Sequence, residues 1–292
     1  MQKALDQLLS LLDVEELEVN IFRAHSPQEG SQRVFGGQVL GQALVAACRT
    51  VDADESPAHS FHAYVLLPGD PTTPILYQVD RTKDGRAFTT RRVIAIQHGR
   101  AIFHMEVSFH RSEPGFEHQD EMPDAPDPES LPSWRERIQP MLDSDIDEHT
   151  RRWLSRDRAL DSRYVTKVDP IHPGKLPPRL SIWIKADGQL PAPLLIHQCV
   201  MAYASDMSLL DTAVLPHDVS WLDGGYQIAS LDHAMWFHRD FRADDWLLYA
   251  QESPTAADGR GFSTGRLFTR DGRLVASVVQ EGLIRRVKES DD

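Results

Sequence analysis

The sequence predicts an α+β fold with an internal repeat, in which each half wraps an antiparallel sheet around one buried central helix. Two helical segments, beginning near Val34 and Leu194, are apolar on nearly every side. Segments with the composition and turn residues of strands follow each helix, in the same order in both halves. A helix without a polar face has to be covered by other elements, and a curved antiparallel sheet provides that cover.

The composition of the chain limits the kinds of function that the protein can have. The chain has 292 residues, of which 41% are hydrophobic and 26% charged, as in ordinary globular proteins. The net charge of −13 argues against nucleic-acid binding, which depends on basic residues. Cys48 and Cys199 lie in apolar stretches and are predicted to be buried, unpaired thiols.

The sequence shows neither a membrane span nor a targeting signal. No apolar run reaches the roughly eighteen residues that a membrane span requires. Five acidic residues between Asp6 and Glu18 are unlike a signal or transit peptide, and the chain ends in Lys-Glu-Ser-Asp-Asp rather than in a peroxisomal Ser-Lys-Leu. We therefore expect a cytoplasmic protein.

The first half begins with an amphipathic helix over residues 3–13, whose leucines recur at helical spacing. A strand is predicted over residues 18–24 and the buried helix over residues 34–48. Glycine and proline turns then separate four strands: His59 to Leu67, Ile75 to Arg81, Phe88 to Gln97 and Ala101 to His110.

Residues 112–178 differ in character from both flanks. They contain ten prolines among many acidic residues. Such a composition predicts a long linker over the surface. Two short helical patterns lie within it, at Trp134 to Leu142 and at Glu148 to Leu154.

After the linker the order of elements repeats. Asp84-Gly85-Arg86 recurs as Asp258-Gly259-Arg260, 174 residues later, and His98-Gly99-Arg100 is echoed by Asp271-Gly272-Arg273 after 173 residues. We therefore divide the chain into a first repeat (1–111), a linker (112–178) and a second repeat (179–292). The second repeat is predicted to contain the buried helix from Leu194 and strands over 180–186, 226–237, 246–252, 261–268 and 274–283.

Asp206 is the anomaly in the second buried helix. Pro193 suits the first turn of this helix, and the residues that follow are apolar. A carboxylate near a helix C-terminus gains nothing from the helix dipole, and its burial is costly without hydrogen bonds. A local rule broken in an otherwise consistent segment is typical of a working site. The alternative is a carboxylate that simply reaches solvent.

The first helix has no counterpart of Asp206, because it contains no acidic residue over Gly36 to Thr50. This difference between the repeats predicts one site per chain.

Several motifs along the chain carry a resemblance to a known family. The motifs are Val34-Phe35-Gly36-Gly37-Gln38-Val39, His59-Ser60-Phe61-His62, Leu67-Pro68-Gly69-Asp70, Tyr203-Ala204-Ser205-Asp206, the run Leu-Asp-His-Ala-Met-Trp-Phe-His over 231–238, and Val279-Gln280-Glu281-Gly282. They resemble the acyl-CoA thioesterase II family of double hot-dog proteins. The resemblance extends from the first helix to about Arg285 and is weakest in the proline-rich middle.

The resemblance implies a double hot-dog fold and hydrolysis of medium- to long-chain acyl-CoA to a free acid and CoA. The family uses a water held by an Asp, a Thr or Ser, and a Gln, and these roles fall on Asp206, Ser230 and Gln280. The bacterial members have Thr at this middle position. This chain has Ser230 there, and the eukaryotic relatives also have Ser, so the hydroxyl is kept. The resemblance implies no cofactor and no metal, and a homodimer or homotetramer is expected.

The residue types suit this chemistry. A thioester carbonyl is electrophilic enough for an oriented water to attack, and a desolvated Asp206 is a stronger base for that water. The hydroxyl of Ser230 and the amide of Gln280 can hold the water. On strand alternation Gln280 shares a face with Ala276 and Val278, so its side chain is predicted to point inward.

The sequence leaves two other functions open. A hot-dog enoyl-CoA hydratase would place a histidine near Asp206 and would not need Gln280, whereas a non-catalytic acyl-CoA-binding protein would need none of the three residues. Odd spacing in the pairs His59/His62 and His233/His238 predicts opposite strand faces and argues against a metal site. Five basic residues could contact CoA phosphates, and each could equally be a solvated residue at a strand end. They are Arg86, Arg91, Arg92, Arg260 and Arg266.

Overall fold

The structure, a computed structural model, describes residues 2–27, 32–143, 145–169, 174–219 and 225–287. Its first half contains two helices, α1 (Gln2–Leu12) and α2 (Gly36–Cys48). The strands of this half are β1 (Glu15–Glu18), β2 (Ile21–Ala24), β3 (Ala58–Val65), β4 (Ile75–Asp84), β5 (Phe88–Gln97) and β6 (Arg100–His110).

The middle of the chain contributes α3 (Trp134–Leu142), α4 (Glu148–Ser155) and the short strand β7 (Leu160–Tyr164). The second half has the helices α5 (Leu194–Ser205) and α6 (Asp211–Val214). Its strands are β8 (Arg179–Ala186), β9 (Tyr226–Ser230), β10 (Asp232–Phe237), β11 (Leu247–Ala257), β12 (Arg260–Thr269) and β13 (Leu274–Arg286).

Most predicted elements are confirmed, because periodicity and turn residues act locally. The amphipathic first helix, both buried helices and the two short helices of the middle segment lie where the sequence places them. Cys48 and Cys199 are buried and unpaired. Among the residues described, no helix combines the length and the apolar character that crossing a bilayer demands.

The strand predicted over residues 18–24 is wrong as a single strand. The chain turns at Val19 and Asn20, so that β1 and β2 form a hairpin in which Glu18 lies opposite Ile21. Asn20 has a φ of 62°, in the left-handed region that asparagine tolerates better than most residues. The apolar composition of the stretch concealed this turn.

The two halves share one sheet, whereas the sequence analysis predicted two. All the strands described form a single antiparallel sheet in the order β1-β2-β4-β5-β6-β3-β10-β13-β12-β11-β8-β7, with β9 also paired to β13. The halves join where β3 pairs with β10, with Phe61 opposite Met235. Edge strands expose unpaired backbone groups, and joining two edges satisfies both.

The helices α2 and α5 pack against each other inside this sheet, in opposite directions. A Cβ atom on Gly37 would lie 2.5 Å from the carbonyl oxygen of Tyr203, and one on Gly41 would lie 3.3 Å from that of Cys199. These two glycines are one helical turn apart, so they remove side chains from one face of α2 and let the backbones approach closely. The N-terminus of α2 consequently lies beside the C-terminus of α5.

Replacing Gly37 by Ala is expected to destabilise the protein by about 1–3 kcal/mol, because the added methyl group meets backbone that cannot move aside. Chemical denaturation of the variant and wild type measures the difference. Gly115→Ala is the matched control, since a Cβ there has no neighbour within 4 Å. Equal stability of Gly37→Ala and Gly115→Ala would contradict this account of the helix packing.

Candidate active site

Asp206, Ser230 and Gln280 lie together in the structure, although 74 residues separate the first from the last. The amide Nε2 of Gln280 donates hydrogen bonds to Asp206 Oδ1 at 2.6 Å and to Ser230 Oγ at 2.8 Å. Ser230 Oγ in turn donates to Asp206 Oδ1 at 3.3 Å. The three side chains thus form a closed hydrogen-bonded triangle around one carboxylate oxygen.

Three different elements supply these side chains. Asp206 caps the C-terminus of α5, Ser230 ends β9, and Gln280 lies inside β13. The register of the sheet places Ser230 opposite Gly282, two residues beyond Gln280. Gln280 is 0% exposed, which confirms the inward orientation predicted from strand alternation.

The N-terminus of α2 closes the other side of the carboxylate. The backbone N–H of Gly37 hydrogen-bonds Asp206, and a Cβ on Gly36 would lie 2.7 Å from Asp206 Oδ2. Only glycine at position 36 leaves room for this oxygen. The positive end of the α2 dipole therefore favours the charge on Asp206, which the C-terminus of its own helix disfavours.

Burial dominates the acidity of Asp206. Its side chain is 4% exposed, and desolvation raises its pKa to about 6, against the partial opposing effect of hydrogen bonds from Gln280, Ser230 and the N–H of Gly37. A carboxyl group with a pKa near neutrality is suited to accept a proton from water, because general bases work best when their pKa lies near the working pH.

His233 also faces this carboxylate, with Nδ1 3.8 Å from Asp206 Oδ1. Its Nε2 lies 2.9 Å from Ser205 Oγ, whose own proton is donated to the carbonyl of Ala202. Nε2 must therefore carry the ring proton, which leaves Nδ1 as a hydrogen-bond acceptor. Burial lowers the pKa of His233 to about 3, so the ring is neutral.

Two buried acceptor atoms at the site have no hydrogen-bond donor among the described residues. They are Nδ1 of His233 and Oε1 of Gln280. Buried polar atoms are rarely left without a partner, and an ordered water commonly supplies one. The site therefore offers acceptors for a water in addition to the carboxylate itself.

A cavity of about 870 Å³ opens onto the site. Asp206 and Ser230 line its wall, together with apolar side chains of both halves and residues of the middle segment. Gln280 and His233 are not among its lining residues in the described part of the chain; they lie behind the carboxylate. A ligand in the cavity can thus touch Asp206 and Ser230, but it touches neither Gln280, which hydrogen-bonds both, nor His233.

The histidine pairs behave differently from each other. His233 is buried and His238 is exposed, which confirms opposite faces. His59 and His62 both lie on the outer face, where His59 bonds Ser108, because the register shifts between Ala58 and Ser60. The prediction for this pair is wrong, since a bulge resets the alternation.

Sequence reasoning missed the backbone N–H of Gly37 and the ring of His233. In the sequence analysis, Gly37 is only part of a family motif, and His233 is part of another motif and one of an odd-spaced pair. Neither role can be recognised from the residues adjacent in sequence. Gly37 meets Asp206 at the terminus of a distant helix, and His233 meets it from a neighbouring strand.

The fold and this site define a class of protein, a hot-dog protein with a buried carboxylate at its cavity. The structure is similar to a hot-dog-fold protein from Alicyclobacillus acidocaldarius (TM-score 0.75, 15% identity, 97% of this chain and 99% of the other). It is also similar to an acyl-CoA thioesterase II, TesB2, from Mycobacterium marinum (TM-score 0.78, 42% identity, 96% and 99%).

The sequence comparisons identify the family. The profile described as "Acyl-CoA thioesterase" matches residues 155–283, and "Acyl-CoA thioesterase N-terminal domain" matches residues 24–110. The chain is 39% identical to acyl-CoA thioesterase 2 of Haemophilus influenzae over 98% of this chain and 99% of that protein. It is 39% identical to human acyl-coenzyme A thioesterase 8 over 94% and 88%.

The chain therefore belongs to the acyl-CoA thioesterase family, and the predicted resemblance is confirmed. The enzyme class is that of the family, a thioester hydrolase acting on acyl-CoA.

Proposed function

We propose that this enzyme hydrolyses medium- to long-chain acyl-CoA, with Asp206 as the general base and with Ser230 and Gln280 holding the base and its water. The observation that carries the proposal is the triangle of hydrogen bonds around a desolvated Asp206 at the wall of the cavity. The relatives named as acyl-CoA thioesterases support the substrate.

The reaction follows from the positions of these groups. A water beside Asp206 and Ser230 attacks the thioester carbonyl carbon, and its proton passes to the carboxylate. The resulting tetrahedral oxyanion collapses to the carboxylic acid and the C–S bond breaks. The CoA thiolate leaves with the proton that Asp206 took from the water, which regenerates the base. The positive end of α2 stabilises negative charge in this part of the cavity.

The preference for longer acyl chains rests on the cavity. Its volume of about 870 Å³ lies near the upper end of the usual range for ligand sites, about 300–1,000 Å³. Apolar residues in its wall include Leu11, Val34, Leu180, Ile182 and Met207. Such a space suits an extended hydrocarbon chain better than a short acyl group.

One observation favours the hydratase alternative, and two argue against it. A histidine does lie near Asp206, as that alternative predicts. However, His233 is 2% exposed and neutral, and it is not among the residues that line the cavity. Gln280, which a hydratase does not need, binds the carboxylate directly. A non-catalytic binding protein would have no use for a buried carboxylate that opposes folding.

The organisation of the chain is part of the proposal. Each half holds one helix inside its part of the sheet, and one family profile matches most of each half. We propose a double hot-dog protein with repeats over residues 1–111 and 179–292, a connecting segment over 112–178, and the active site in the second repeat. Assembly into homodimers or homotetramers in the cytoplasm stays a prediction.

Release of free thiol from a panel of saturated acyl-CoAs tests the function. We expect kcat/KM to rise from short to medium and long chains, because longer chains bury more apolar surface in the cavity. An enoyl-CoA substrate, followed in parallel by loss of its C=C absorbance, separates hydrolysis from hydration. Hydration without thiol release, or binding with neither reaction, would overturn the proposal in favour of one of the two alternatives.

A further inference from the structure

The middle segment lines the cavity with arginines stacked on aromatic rings, and the proposed mechanism uses none of them. The guanidinium carbon of Arg158 lies 3.9 Å from the ring centre of Trp134 and 5.1 Å from that of Trp153. Arg137 lies 3.6 Å from the ring of Tyr164 and 5.5 Å from Trp134. We call these five residues the arginine–aromatic cluster.

Hydrogen bonds hold the cluster in place. Trp134 Nε1 donates to the carbonyl of Leu154 at 3.0 Å, which ties α3 to α4. Arg137 Nη2 donates to the carbonyl of Val168. These bonds hold Trp134 and Arg137 in the cavity wall. The other three residues of the cluster are in contact with one of these two or with each other through stacking.

The guanidinium groups are charged, largely buried and incompletely paired. Nε and Nη2 of Arg158 and Nη1 of Arg137 are buried and have no acceptor among the described residues. Asp169 and Asp211 also line the cavity, but each has an interaction of its own, and neither bonds these nitrogens. Burial, followed by the charge of Arg156, lowers the pKa of Arg158 to about 10.

A buried cation without an acceptor opposes folding, and stacking on aromatic rings offsets only part of that penalty. An anion in the cavity would supply the missing acceptors. Four of the five arginines considered in the sequence analysis already have partners: Arg91 bonds Thr50 and Asp84, and Arg92, Arg260 and Arg266 pair with Glu106, Glu281 and Asp120.

We propose that the arginine–aromatic cluster binds the phosphate groups of the CoA part of the substrate, an inference that rests on the proposed function. Two planar guanidinium groups present several donors to one ligand, which matches the many oxygens of phosphate groups. Trp153 is 38% exposed, and its ring offers a surface on which an adenine base can stack. The cluster lines the same cavity as Asp206.

A carboxylate at the far end of an acyl chain would also offer oxygens to the arginines. The test therefore distinguishes binding of CoA phosphates from binding of such a carboxylate. Kinetics are measured for Arg158→Gln and Arg158→Lys with three thioesters: an acyl-CoA, the same acyl group on pantetheine, which lacks the nucleotide, and an acyl-CoA with a terminal carboxylate. Arg135→Gln is the matched control, because Arg135 lies on α3, is 82% exposed and pairs with Asp157.

For Arg158→Gln we expect KM for both acyl-CoAs to rise about 10- to 100-fold with little change in kcat, because charged hydrogen bonds to phosphate are lost. Hydrolysis of acyl-pantetheine should be unchanged. Arg158→Lys, which keeps the charge but not the planar fork, should fall between Gln and wild type. Arg135→Gln should behave as wild type with all three substrates.

Three outcomes would overturn the proposal. They are an unchanged KM for acyl-CoA, an equal loss with acyl-pantetheine, and a loss confined to the substrate with a terminal carboxylate. A binding experiment tests the cluster without any turnover. Calorimetry measures the affinity for adenosine 3′,5′-bisphosphate of wild type and of Arg158→Lys, so this test does not depend on the Gln variant. If wild type binds this nucleotide but hydrolyses no acyl-CoA, the cluster stands and the proposed function fails.

Stability gives a further readout that a structural role would not produce. Because Arg158→Gln removes an unpaired buried charge, the ligand-free variant should be at least as stable to heat as wild type. A marked loss of stability would show that the guanidinium group serves the fold rather than a ligand.

Discussion

Replacement of Asp206 by Asn is expected to lower kcat for acyl-CoA hydrolysis on the order of a thousandfold, because the amide cannot take a proton from water. The shape of the side chain is kept, and its remaining oxygen can still accept from Gln280 and Ser230. Binding of the product CoA should therefore change little. Free-thiol release measures kcat, and calorimetry measures the affinity for CoA.

The same substitution should stabilise the fold at neutral pH. Burial raises the pKa of Asp206 from 3.8 to about 6, so the native state favours the protonated carboxyl group. Stability is therefore lost as pH rises from about 4 through 6, and the full penalty, at most about 3 kcal/mol, applies above that range. The neutral amide of Asp206→Asn carries no such penalty. The variant should be the more stable protein at pH 8, with a difference that disappears near pH 4.

Asp232→Asn is the matched control for the activity measurement. Asp232 lies close by on β10, where its carboxylate accepts a hydrogen bond from the N–H of Glu281, and it is not among the residues that line the cavity. This variant should keep its activity. Near-wild-type turnover by Asp206→Asn, or equal losses in the two variants, would remove Asp206 from the role of base.

Replacement of Gln280 by Met is expected to lower kcat about a hundredfold and to move the pH profile. Methionine fills the same space but donates no hydrogen bond, so Asp206 and Ser230 lose the group that holds them together. The hydrogen bond from Gln280 lowers the pKa of Asp206. Without it, the pKa of the carboxyl group should rise further.

The pH dependence of kcat/KM tests this directly. For wild type we expect activity to be half-maximal near pH 6 and to level off above it, since the base works only when ionised. For Gln280→Met the midpoint should shift to higher pH. A reduced kcat with an unchanged midpoint would mean that Gln280 does not act through Asp206.

Gln42→Met controls for the loss of a buried amide. Gln42 is 0% exposed on α2, where it donates to the carbonyl of Leu11 and accepts from Tyr77. Its replacement removes a comparable set of hydrogen bonds far along the helix from Asp206. The variant should lose stability but should keep the wild-type pH midpoint.

The sequence alone determined the elements and two features of the site. Apolar faces and turn residues act over a few neighbours, which is why α2, α5 and most strands lie where the pattern predicts them. The inward orientation of Gln280 follows from alternation along one strand. The misplaced carboxylate of Asp206 was visible because it breaks a rule that applies within a single helix.

Only the tertiary structure decided what surrounds these residues. The approach of the α2 N-terminus to Asp206, the neutral His233 behind it, and the single sheet through β3 and β10 join residues that are distant in sequence. The arginine–aromatic cluster arises in a segment that composition alone describes as a linker. Local patterns record which face of an element is buried, but not which distant element will cover it, because that choice depends on packing the whole chain at once.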